Sequence, residues 1–246
     1  MTGVDRYVID SYGPDDEALL EGLRWLVRQG RERGSEGAIV VPAVDNIESL
    51  GRVIGRDLAA YGRTHRRITL NGLAVQLFTP RTQPGTFDGP VLVPWAHSGM
   101  VEGAERLQPA AICATGWYEG GLDEWKRAWA PTDPRTGEAE SSGDEAPPAV
   151  TGAVDSLSGP FGNDVIHPMD KARAINAFKA LHAFGIPTDP AVVRTLAIQR
   201  DWEPDAADRL REIARKIGEG RAVRGGDRLT QTKAKELVAR FERERE

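Results

Sequence analysis

Seven residues have types and positions that could do chemistry together: Tyr12, Asp45, Trp95, His97, Trp117, Tyr118 and Glu119. Each falls at or just beyond the end of a short apolar run with strand character. Flat aromatic faces beside a few polar groups suit a planar ligand held by stacking. The competing reading is core packing, since aromatic rings are mostly buried. If the runs form parallel strands, the residues that follow them emerge on one side of a sheet, where ligands of open α/β folds bind.

Other constellations carry less. His97-Ser98 places an imidazole beside a hydroxyl, but residues adjacent in sequence rarely have triad geometry, and the G-x-S-x-G elbow is absent. Ser98 and Asp45 read instead as helix caps, with Asp45 and Glu48 at capping-box spacing. Asp10, Asp45, His97 and Glu119 could be assembled around a divalent cation, yet no pair has the spacing of H-E-x-x-H or D-x-D. No metal is assigned. The strand-to-helix turns carry neither G-x-G-x-x-G nor a lysine-bearing P-loop, so no phosphate cradle and no cofactor is read from the sequence. His65, His167 and His182 are scattered. Cys113, alone in an apolar run, reads as a small core residue.

The elements that must position these residues follow from periodicity. Gly89 to Trp129 contains two apolar runs, Val91 to Val93 and Ala110 to Cys113. Between them lies a short helix carrying Val101, Ala104 and Leu107. Strand, crossover helix and strand of this length predict a parallel βαβ unit. Upstream, Arg6 to Ser11 predicts a strand. A helix follows with Leu19, Leu20, Leu23, Leu26 and Val27 at helical spacing, capped by Asp15 or Asp16. Ala38 to Val41 predicts a second strand, followed by a helix with Ile47, Leu50, Ile54, Leu58 and Tyr61. Arg67 to Leu70 and Leu73 to Thr79 flank Asn71-Gly72, a strong hairpin signal that places antiparallel pairing at a sheet edge. Residues 39–51 and 91–103 share a Val-Pro pair and a glycine nine positions after the proline, which supports equivalent strand-to-helix turns.

The chain of 246 residues is therefore expected to be α/β, with a mixed, mostly parallel, Rossmann-like three-layer sheet followed by a small all-α helical domain. The expected division is an α/β domain over 1–130, a mobile acidic Pro/Gly/Ser-rich linker over 131–162, three helices over 163–220, and a linker with a terminal amphipathic helix over 221–246. Charge divides similarly. Residues 1–163 hold 15 Lys+Arg against 23 Asp+Glu, and residues 164–246 hold 17 against 14. The third helix of the helical part, Pro204 to Gly218, carries Arg209, Arg211, Arg215 and Lys216. It is interleaved with Asp205, Asp208 and Glu212, which argues against phosphate binding.

No apolar run approaches a membrane span, and the first residues lack the basic-then-apolar pattern of a signal peptide. The expectation is a cytoplasmic protein with no membrane association. One cysteine excludes an internal disulfide. The leading function is a non-catalytic scaffold that binds a small-molecule ligand or protein partner, with the helices as adaptor. An enzyme at the carboxyl edge, with metal-assisted hydrolysis as its candidate chemistry, stands second. A DNA-binding regulator with a ligand-sensing α/β domain stands third, so nucleic acid is not the favoured partner.

Overall fold

A computed structural model describes residues 4–139, 146–159 and 164–243. The chain divides into two compact units, Met1–Ser141 and Ser142–Glu246.

In the first unit the order is β1 (Asp5–Ile9), α1 (Asp16–Arg33), β2 (Gly37–Val40), α2 (Asn46–Ile54), α3 (Arg56–His65), β3 (Arg67–Leu70), β4 (Leu73–Phe78), β5 (Pro90–Ala96), α4 (Ser98–Glu105), β6 (Ala111–Gly116) and α5 (Asp123–Trp129). The strands form one six-stranded sheet in the order β1-β6-β5-β2-β4-β3. Every pairing is parallel except β3 with β4. The antiparallel pair turns through Asn71 and Gly72, both at positive φ, as a tight hairpin turn requires. It lies at the sheet edge, so the sheet is mixed and mostly parallel.

β5 and β6 are buried at every position, as strands covered on both faces must be. Alternate residues face opposite layers. Ile9, Ile39, Leu92 and Cys113 pack with Leu19, Leu23, Leu26 and Leu50 beneath α1 and α2. Val8, Val40, Val91, Val93, Ile112 and Ala114 pack with Met100, Val101 and Trp125 of α4 and α5. That is a three-layer α/β unit. Asp15 caps α1 by accepting from the N–H groups of Glu17 and Ala18, and Gly34 ends the helix in the left-handed region.

The second unit contains α6 (Pro148–Leu157), α7 (Pro168–Ala183), α8 (Pro190–Ile198), α9 (Pro204–Gly218) and α10 (Gln231–Arg243). Ala174, Ile175, Phe178 and Leu181 of α7 are buried, as are Leu210, Ile213, Ala214 and Ile217 of α9. α7 packs on α9, α8 on α9, and α10 on both α6 and α7 through Ala234, Val238 and Phe241.

The stretch expected as a mobile linker differs in two places. Thr132 lies along the open side of β1, where its N–H donates to the Arg6 carbonyl and its carbonyl accepts from Val8. An Asp133–Arg135 ion pair at 2.6 Å closes the turn that follows. Residues 148–157 then form α6, whose Ala149, Val150, Ala153 and Val154 are buried. Pro148 occupies a first-turn position, where its missing N–H costs nothing. Small apolar side chains in a Pro- and Gly-rich setting hid this helix from composition. Residues 140–145 and 160–163 of the same stretch lie outside the described residues.

Candidate functional site

The five parallel strands end on one edge, so the loops after β1, β2, β4, β5 and β6 share that side. The chain leaves β5 toward β6 and leaves β2 toward β4 and β3, in opposite directions. The topological switch point therefore lies between β5 and β2. Tyr12, Trp117 and Tyr118, the exposed aromatics of the expected set, lie elsewhere, on the loops after β1 and β6.

Those two loops are stitched together by backbone. The Gly13 N–H donates to the Trp117 carbonyl at 2.9 Å, and the Trp117 N–H donates to Ala96 at 3.0 Å. Gly116 makes the approach possible: a Cβ there would lie 2.9 Å from the Ser11 carbonyl and 3.5 Å from the Tyr12 ring. Tyr118 turns back through a Gly121 N–H bond to its carbonyl, with its ring against Gly121. Tyr12, Trp117 and Tyr118 remain 51%, 50% and 54% exposed. Glu119 is exposed beside them.

The electrostatics of this edge are acidic. Asp10 holds the Tyr12 phenol above its ordinary value, with some desolvation, and Glu119 and Asp123 act in the same direction. Lys126 opposes them, with its ammonium 2.7 Å from Asp10. The Ser11 hydroxyl, at the mouth of β1, is buried with no hydrogen-bond partner among the described residues.

Ser98 has a different role from the expected cap. It is the first residue of α4, whose N-cap is His97 and has no side-chain capping bond. The Ser98 hydroxyl donates to the Gly121 carbonyl at 3.1 Å and accepts from the Trp125 N–H at 3.3 Å. It thereby ties α4 to the loop that carries Trp117 and Tyr118. His97 is exposed at the end of β5.

Two expected members leave the set. Trp95 is only 4% exposed and packs in the cluster that contains Ile39, Val41 and Ile47. Its φ of 55° lies in the left-handed region, at a register irregularity between Val93 and Ala96. Its N–H donates to the Thr115 hydroxyl at 3.1 Å. The bulge turns the indole into the core instead of the crevice. Asp45 opens α2 without a side-chain cap bond. Its carboxylate pairs with Arg63 at 2.9 Å, and Glu48 pairs with the same guanidinium. The expected capping box is thus replaced by an ion pair to α3.

The edge is supported from the opposite end of β1. Arg6 pairs with Glu105 at 2.6 Å and stacks 3.5 Å from the Trp129 ring centroid. The Trp125 indole N–H donates to the same Glu105 oxygen at 3.1 Å. Sequence reasoning missed this seam, because Arg6 and Glu105 are 99 residues apart and no local spacing links them. Burial also pushes the Cys113 thiol up, in keeping with an inert core residue. Among the described residues there is no group of three or more His, Cys, Asp or Glu placed to hold a metal ion.

Residues 146–239 match a protein family described as a domain of unknown function, DUF1889. The match runs from just before α6 into α10, so it covers the helical unit and none of the described sheet. No curated protein matches the chain. Among solved structures, an arginine-to-alanine mutant of the large terminase ATPase domain of Thermus phage P74-26 aligns at 16% identity. It covers 56% of this chain and 73% of that one, with a TM-score of 0.31. At that score the α/β assignment rests on this chain's own strand order. No helix among the described residues is long and apolar enough to cross a membrane.

Proposed function

We propose that the α/β unit is a non-catalytic binding scaffold that takes a ligand or partner on the loops after β1 and β6, and that the helical unit is its adaptor. The observation that carries this reading is the adjacency of Tyr12 and the Trp117–Tyr118 loop, with all three rings half open to solvent. Large aromatic side chains dominate binding energy where they become buried, and Trp and Tyr are enriched at such sites. Glu119 follows Tyr118 in the chain, and His97 follows Ala96, whose carbonyl accepts from the Trp117 N–H.

The adaptor role is favoured over DNA reading by the charges of α9. Arg209 pairs with Asp164, Arg211 with Asp208, and Arg215 and Lys216 with Glu212. Acids that already hold these bases would also repel a phosphate backbone. Ile166 and Met169, at the start of α7, are large apolar residues open to solvent in the same unit.

A thermal-shift screen over nucleotides, sugars, amino acids, peptides and divalent metals tests the reading, because binding to the native state raises apparent stability. A stabilising ligand should lose its effect in the folded variant Tyr12→Ala/Trp117→Ala/Tyr118→Ala. Stabilisation that persists in that variant would remove the edge from consideration. A shift specific to a divalent metal would turn the reading toward the enzyme.

A further inference from the structure

We infer that the occupant of the β1–β6 edge is a basic segment of a protein partner, whose arginine or lysine side chains lie over Tyr12, Trp117 and Tyr118. This rests on the binding reading above and names the chemistry of what is bound.

Two independent features meet there. The rings present π-faces, which attract cations, most strongly at tryptophan. The charges around them are mainly acidic: Asp10 lies two residues before Tyr12, Glu119 follows Tyr118, and Asp123 opens α5 at the end of the same loop. All three act to raise the Tyr12 phenol, with Lys126 opposing them, so their charges reach this ring. The neighbouring cations are already engaged, Lys126 with Asp10 and Arg135 with Asp133. With Asp10 held by Lys126, Glu119 and Asp123 carry the attraction: an anionic ligand would meet their repulsion, and a neutral one would draw nothing from them.

The openness of the edge decides between a free cation and one carried on a chain. Rings half exposed on two loops cover only one side of whatever rests on them. A small free cation would keep most of its hydration and gain little. An arginine borne on a polypeptide brings covering surface with it, and Trp, Tyr and Arg are the residue types that recur at interface hot spots.

The test is a titration of the full chain with a short arginine-rich peptide, read by tryptophan emission and calorimetry. Two control peptides replace each arginine by citrulline, its uncharged near-isostere, or by glutamate. The arginine peptide should bind and weaken as salt rises. The citrulline peptide should bind at least about tenfold more weakly, a difference of about 1.4 kcal/mol. The glutamate peptide should not bind. Glu119→Gln/Asp123→Asn, checked for folding by circular dichroism, should weaken the arginine peptide and leave the citrulline peptide unchanged.

Equal binding of the arginine and citrulline peptides would overturn the cationic inference. If that binding were still lost in Trp117→Ala, the edge reading would survive. Arginine-peptide binding that ignores both Trp117→Ala and Tyr12→Ala would overturn the edge itself. Tetramethylammonium binding as tightly as the peptide would replace the protein partner by a small cation. Failure of the arginine peptide to bind would reject the inference, leaving the ligand screen to judge the edge.

Discussion

Two places along the carboxyl edge of one sheet behave oppositely. At the switch point between β5 and β2, Trp95 is folded inward by a left-handed residue, and Asp45 is engaged by Arg63. At the β1–β6 side, three rings stay in solvent within an acidic field. Topology alone would rank the switch point first, since strand connections part there. Connectivity decides where a crevice can open, while backbone conformation decides which side chains reach it.

The steepest loss of stability is expected at Trp95. Trp95→Ala should cost about 3–5 kcal/mol of unfolding free energy in denaturant titrations, as for truncating a buried aromatic. Trp95→Gly should cost about 1 kcal/mol less than Trp95→Ala, because glycine relieves the left-handed strain. Trp117→Ala should stay within about 0.5 kcal/mol of the parent, as an exposed side chain should. Comparable losses at both tryptophans would erase the distinction between the two places.

A smaller effect arises in the seam beneath the edge. Burial raises the Glu105 carboxyl above its ordinary 4.5, with Arg6 opposing. The folded state therefore holds this proton more tightly than the unfolded chain. The associated stability is fully present below about pH 4.5 and is lost as pH rises through the folded value. Glu105→Gln should remove that part of the pH dependence, seen as a parent-minus-variant difference that falls with rising pH. A flat difference would mean that Arg6 fully offsets the burial.

The smallest effect belongs to Asp45. Its carboxylate is largely exposed, so Asp45→Asn should change stability by about 0.5 kcal/mol or less. It should leave binding at the β1–β6 side unaltered. A binding defect in this variant would bring the switch point back as the site.

Much of this architecture was legible in the residues. The hairpin follows from Asn71-Gly72 and the parallel βαβ unit from two apolar runs around a short helix, while the cap of α1 is narrowed to Asp15 or Asp16, of which Asp15 makes the bonds. The burial of Trp95 is not legible in the residues, because sequence carries periodicity but not the sign of φ. Its position after Pro94 reads as a loop, whereas β5 continues to Ala96 through an irregular register. α6 was missed because Ala149, Val150, Ala153 and Val154 are small, and their contribution appears only when α10 packs on them. Local spacing makes Ser98 a cap candidate, whereas its partners, Gly121 and Trp125, are far away in sequence.

The most direct test of the proposed binding edge is acrylamide quenching of the emission component that disappears in Trp117→Phe, measured with and without saturating arginine-rich peptide. Bound peptide should shield Trp117, while the buried Trp25, Trp95, Trp125 and Trp202 quench as before. Peptide that binds yet leaves Trp117 equally open to acrylamide would contradict the account.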